Sequence, residues 1–113
     1  MPRAILVVQG RSSDPAREQE FNEWYDKVHL PEVCALPGVV SARRFRLSQS
    51  QMNGAPPDPN VRPYLAIYEI SADDVGGVLQ GITEARVGGV LHMSDAMEQD
   101  PPPLTLCYEV LED

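Results

Sequence analysis

A chain of 113 residues with 9 basic and 17 acidic side chains carries a formal charge of -8, which repels the phosphates of nucleic acid and of an anionic membrane surface. Its 42% apolar content suits one folded domain over residues 1–113, small enough for a partner subunit to complete its burial. There is no membrane-length apolar run, MPRAILVVQG is too short for a signal peptide, and Cys34 and Cys107 read as free thiols. The expectation is a cytoplasmic protein with neither nucleic acid nor membrane as partner.

Residues 3–9 (RAILVVQ) predict a strand, central because both parities are apolar. Asp14 is placed to cap the following helix, with Pro15 at its first position. Phe21, Trp24, Tyr25 and Val28 then recur at helical spacing, and Pro31 predicts that the helix ends near His29 and Leu30. Pro37-Gly38 turns the chain into a second strand over residues 39–47, with Val39, Ser41, Arg43, Phe45 and Leu47 on one face and Val40, Ala42, Arg44 and Arg46 on the other. Arg43, Arg44 and Arg46 read either as a solvated edge or as a site for an acidic small molecule.

Residues 48–63 are loop by composition, and residues 64–70 (YLAIYEI) predict a third strand. Ser71 is placed to cap a second helix from Ala72, with Asp74 in a shortened capping box and Val75, Val78, Leu79 and Ile82 as its buried stripe. Gly88-Gly89 breaks that helix, residues 92–100 are irregular, and residues 104–111 predict a last strand with Leu104, Leu106, Tyr108 and Val110 on one side. The order β-α-β-β-α-β predicts an α+β, ferredoxin-like fold: a four-stranded antiparallel sheet with both helices on one face. Apolar residues left on the other face favour a homodimer formed by sheet-to-sheet packing.

His29 reads in two ways. An imidazole can exchange a proton with a carbon acid or enolate, and a histidine at a helix C-terminus can simply cap its carbonyls. Trp24 and Phe21 fit the core and can also wall an apolar pocket. Tyr25, Tyr64, Tyr68 and Tyr108 can each pack or hydrogen-bond a carbonyl or an enolate. His92 and Asp95 are spaced for a carboxylate-oriented imidazole or for an ordinary polar turn. No metal-ligand set and no glycine-rich nucleotide cradle is evident.

The stretch FNEWYDKVHLPEVCALPGV, the element order and the late segment His92-Met93-Ser94-Asp95 resemble the dimeric α+β barrel superfamily, near the EthD-like and polyketide-cyclase-like small proteins. The resemblance puts His29 on the family's histidine and Trp24 and Tyr25 on the aromatic pair before it. It implies a dimeric α+β barrel with a small-molecule pocket between helices and sheet in each subunit. Members include lactone isomerases, polyketide cyclases, cofactor-free monooxygenases and haem-binding or haem-degrading proteins.

The resulting expectation is a homodimeric cyclase, isomerase or dehydratase without a cofactor, transferring protons on an apolar or aromatic, polyketide-like carbonyl compound. His29, Tyr25 and Tyr68 are its catalytic candidates, and Phe21, Trp24, Tyr64, Tyr108, His92 and Asp95 its substrate-binding ones. The alternatives are a haem-binding or haem-modifying protein and a non-enzymatic binding or assembly module.

Overall fold

The computed structural model describes residues 3–111. Strands β1 (Arg3–Gly10), β2 (Val39–Arg46), β3 (Tyr64–Ser71) and β4 (Leu104–Glu109) form one antiparallel sheet in the order β2-β3-β1-β4. The first crossover carries α1 (Glu18–Trp24) and α2 (Leu30–Cys34), and the second carries α3 (Val75–Val87). This is the ferredoxin-like topology expected from the element order. The barrel implied by the resemblance is not formed. β2 and β4 lie at opposite ends of the sheet and do not pair, whereas closure requires first and last strands to exchange hydrogen bonds.

The register decides which side chains meet the helices. Leu6 pairs with Tyr68 and Cys107, and Val8 with Ala66 and Thr105, so these residues share one face. Ala4, Leu6, Tyr64, Ala66, Tyr68 and Ile70 are buried there. On β2 the alternation expected from sequence fails at its first residues, because a bulge between Val39 and Ser41 sets Val39 against Ile70 and buries it. Beyond the bulge Ala42 opposes Tyr68 and Arg44 opposes Ala66. The other face carries half-buried Ile5, Val7, Leu65 and Ile67 and exposed Phe45, Leu104, Leu106 and Tyr108.

The first helical segment opens as expected, on a 3-10 turn (Pro15–Arg17) with the Ala16 amide donating to Asp14 Oδ1 at 2.8 Å. Its end differs. The helix does not stop before Pro31 but widens into a π-turn (Tyr25–His29), where the Leu30 N–H donates to the Tyr25 carbonyl five residues back, and continues through Pro31 to Cys34. Proline lacks the N–H and crowds the preceding turn, and a widened turn removes the conflict. His29 therefore lies within a helix rather than at its terminus.

Gly38 then takes a positive φ of 87°, and a Cβ there would lie 2.4 Å from Val78 Cγ2. Glycine is required both by the turn and by the close approach of α3. α3 starts three residues later than the expected Ala72. Ser71 still belongs to β3, held by pairing with Arg3 and by its N–H donating to the Gly38 carbonyl at 3.0 Å, so Asp74 caps instead, accepting from the Gly77 amide at 3.0 Å. After α3 the chain returns across the exit of β1. The Ser13 amide donates to the Ala96 carbonyl at 2.7 Å and the Glu98 amide to the Arg11 carbonyl at 3.0 Å, with Ala96 and Met97 buried beneath.

Candidate functional site

Between the sheet, the π-turn, α3 and the returning segment lies a cavity of about 430 Å³. Leu6, Val8, Tyr68, Thr105 and Cys107 supply the sheet wall, His29 and Val33 one helical wall, and Leu79, Ile82, Thr83 and Arg86 the other. Leu91, Met93 and Met97 from the irregular segment complete an apolar lining whose flexible thioethers suit an adaptable fit.

His29 reaches this wall because of the π-turn. Its ring stacks on Trp24 at 4.8 Å between centroids and 24° between planes, and meets Tyr25 edge-on at 5.0 Å. Nδ1 is buried without a hydrogen-bond partner among the described residues. Burial drives the pKa down to about 4, against the pull of the Glu32 carboxylate and with some help from the Arg44 guanidinium, so the ring is neutral at pH 7. Behind it the Tyr68 hydroxyl donates to the Tyr25 hydroxyl at 3.5 Å. Burial raises both phenols above their ordinary value, and Tyr25 raises Tyr68 further, so both stay protonated.

The other candidates are distributed around this centre. Trp24 supports His29 by stacking and is itself fixed by its Nε1–H donating to the His92 carbonyl at 2.7 Å. Phe21 is fully buried against Trp24, Tyr25 and Tyr64, one layer from the cavity. Tyr64 lies away from it, its hydroxyl donating to Glu18 and accepting from Asn22. Tyr108 is on the open face of the sheet, opposite Ile5.

His92 and Asp95 do not form the pair their spacing allows. The His92 ring is 77% exposed and pairs through Nδ1 with Glu32, which also accepts from the His92 amide at 2.8 Å; Asp95 takes Arg17 at 2.7 Å. The His92 hydrogen bonds hold the Glu32 carboxyl below the usual range, and Arg17 does the same for Asp95.

Arg44 fits neither reading made for it from sequence. Its side chain is only 12% exposed, and its guanidinium lies 4.3 Å from the Tyr25 ring centroid, 5.3 Å from Tyr64 and 5.5 Å from Phe21. It donates to Asp26 at 2.9 Å and Asn22 at 2.8 Å. Burial raises both thiols, Cys107 on the cavity wall and Cys34 near Tyr68, which opposes nucleophilic use. Among the described residues no group of three His, Cys, Asp or Glu side chains could hold a metal ion, and no helix is long and apolar enough to cross a membrane.

Sequence reasoning took His92 and Asp95 from the returning segment and nothing from α3, whereas the cavity is lined by Leu91, Met93, Met97 and Gln99 of that segment and by Leu79, Ile82, Thr83 and Arg86 of α3. The signal was present: Thr83 and Arg86 continue the helical face of Leu79 and Ile82, which placed two polar groups on a stripe read only as core.

No protein-family model and no curated protein matches the chain. Solved structures do. HapK from Hahella chejuensis superposes with a TM-score of 0.65 at 21% identity, over 97% of this chain and 94% of that one. An ethyl tert-butyl ether D (EthD) family protein from Bacillus halodurans C-125 gives 0.62 at 18%, over 98% and 100%. A dimeric ferredoxin-like protein from an uncultured marine organism gives 0.61 at 13%, over 100% and 99%. The likeness establishes the fold. At these identities chemistry has to be argued from the cavity itself.

Proposed function

We propose that the protein is an enzyme moving protons on an aromatic or polyketide-like carbonyl compound held in the cavity, as a cyclase, isomerase or dehydratase does. The observation that carries this reading is a half-buried imidazole on the wall of a largely apolar cavity, its Nδ1 without a hydrogen-bond partner among the described residues. His29 accepts a proton from the carbon next to the substrate carbonyl. The protonated hydroxyl of Tyr68 turns its O–H from Tyr25 to the enolate oxygen that develops, with the Tyr25 hydroxyl donating to Tyr68 in exchange, and His29 then returns the proton to a different carbon or to a leaving hydroxyl. The developing negative charge beside the ring raises the basicity that burial has lowered. Trp24 fixes the plane of the imidazole, and Phe21 packs against Trp24 and Tyr25.

The test is exchange of the methyl protons of 2-acetylnaphthalene in D2O, followed by NMR. Acceleration by the protein and a loss of roughly 10²-fold or more in His29→Ala, with unchanged circular dichroism, is expected. Undiminished exchange in the variant would remove His29 from the mechanism; probe binding without exchange would leave a binding module.

The same reading includes a homodimer in which the open sheet faces pack on each other. Support comes from exposed Phe45, Leu104, Leu106 and Tyr108 on one surface and from a neighbour described as a dimeric ferredoxin-like protein. Sedimentation equilibrium is expected to give a dimer for the native chain and a monomer for Leu106→Arg, and a monomeric native chain would exclude it.

A further inference from the structure

Arg86 is the one side chain bordering the cavity that carries a charge at neutral pH, since His29 is neutral and no carboxylate lines the wall among the described residues. Among the described residues it is also without an ion-pair partner. The salt bridges of the described residues engage Arg11, Arg17, Arg44 and His92, and none engages Arg86, in a chain with nearly twice as many acidic as basic residues. Arg86 and Gln99 are exposed whereas His29 is half-buried and Tyr68 fully buried, so the polar pair lies at the mouth and the imidazole and phenol lie deeper. Thr83, one turn before Arg86, lines the same wall, its hydroxyl donating to the Leu79 carbonyl at 3.2 Å.

We propose that the ligand of this cavity carries a carboxylate which Arg86 receives at the mouth while the apolar, carbonyl-bearing body extends inward. A guanidinium presents two parallel N–H donors that match a carboxylate, and the Gln99 amide adds a neutral donor. A single cation without other positive groups suits one negative charge better than the two of a phosphate monoester. The proposal rests on the functional reading above and narrows its substrate class to carboxylate-bearing compounds. The bland role for Arg86 is that of a basic residue in the last turn of α3, favourable to the helix dipole.

A matched pair of probes separates the possibilities: 6-acetyl-2-naphthoic acid, and 2,6-diacetylnaphthalene as its neutral counterpart. Their affinities are measured by calorimetric titration of the full chain at low salt and pH 7. The native protein is expected to bind the acid at least 10-fold more tightly. Arg86→Gln is expected to erase that preference while leaving the diketone affinity unchanged, and Arg86→Lys to restore part of it.

Equal affinities in the native protein, or a preference that survives in Arg86→Gln, would overturn the proposal and leave the cavity reading standing. If Arg86→Gln lowers only the thermal midpoint and keeps the preference, the dipole role is the whole role and the proposal falls. Failure of both probes to bind the native protein would overturn this proposal and the functional reading together.

Discussion

Tyr25 has two neighbourhoods built by the same aromatic helix. On one side its ring meets the Arg44 guanidinium at 4.3 Å, inside a cage closed by Phe21, Tyr64, Asn22 and Asp26. On the other it meets the His29 imidazole at 5.0 Å, at the edge of a cavity. A permanent cation can be buried only if aromatic faces and hydrogen-bond acceptors replace its water, so the Arg44 side is filled. A titratable ring escapes that requirement by losing its proton, so the His29 side can stay empty. Arg44 has three rings and two acceptors around a guanidinium whose Nε alone lacks a partner among the described residues, whereas the unpartnered His29 Nδ1 belongs to a ring on a cavity wall.

Removing the caged cation is the most forceful way to break this contrast. Arg44→Ala takes away three ring contacts and two hydrogen bonds and is expected to lower the unfolding free energy by about 3 kcal/mol in urea titration. A change under about 1 kcal/mol would mean that the cage does not hold the sheet to the helix.

The cavity side is sharpened by acid. The unfolded chain protonates His29 near 6.5 and the folded one only near 4, so between these values the unfolded state binds more protons and stability falls as the pH is lowered. At about 1.4 kcal/mol per unit the loss is about 3 kcal/mol, complete below pH 4 and absent above 6.5. The salt-bridged carboxylates Glu20, Glu32, Asp95 and Glu98 are held below the usual range and add losses of the same sign at lower pH. The difference between the native chain and His29→Leu isolates the imidazole; parallel curves from pH 7 to 4 would place that ring in water. The smallest effect is expected for Asp26→Asn. Its carboxylate is 59% exposed, so the same urea titration should register less than about 1 kcal/mol.

The order of elements along the chain, both helices on one face and the open apolar face were legible because alternation and helical spacing report burial directly. Three things were not. The bulge at Val39 depends on how β2 registers against β3, a long-range fact invisible in residues 39–47 alone. The continuation of the helix through Pro31 depends on a turn geometry that local preference argues against. The burial of Arg44 depends on three rings, one of them brought from β3 by the sheet. At the site, His29 and Tyr68 were named from sequence and line one cavity, while the part played by Arg86 and Met97 required the packing of α3 and of the chain returning over β1.

A π-turn holds one residue more than an α-helix needs over the same rise, and each residue of helix turns the chain by about 100°. Deleting one residue within Tyr25–His29 would leave the composition of the segment almost intact and still rotate everything after it by that angle. Val33, only 2% exposed, would swing toward solvent, and another side chain would take its place on the cavity wall. In a lineage carrying this fold, the identity of the group facing the cavity is therefore open to change by a single-codon deletion, without any substitution of the histidine.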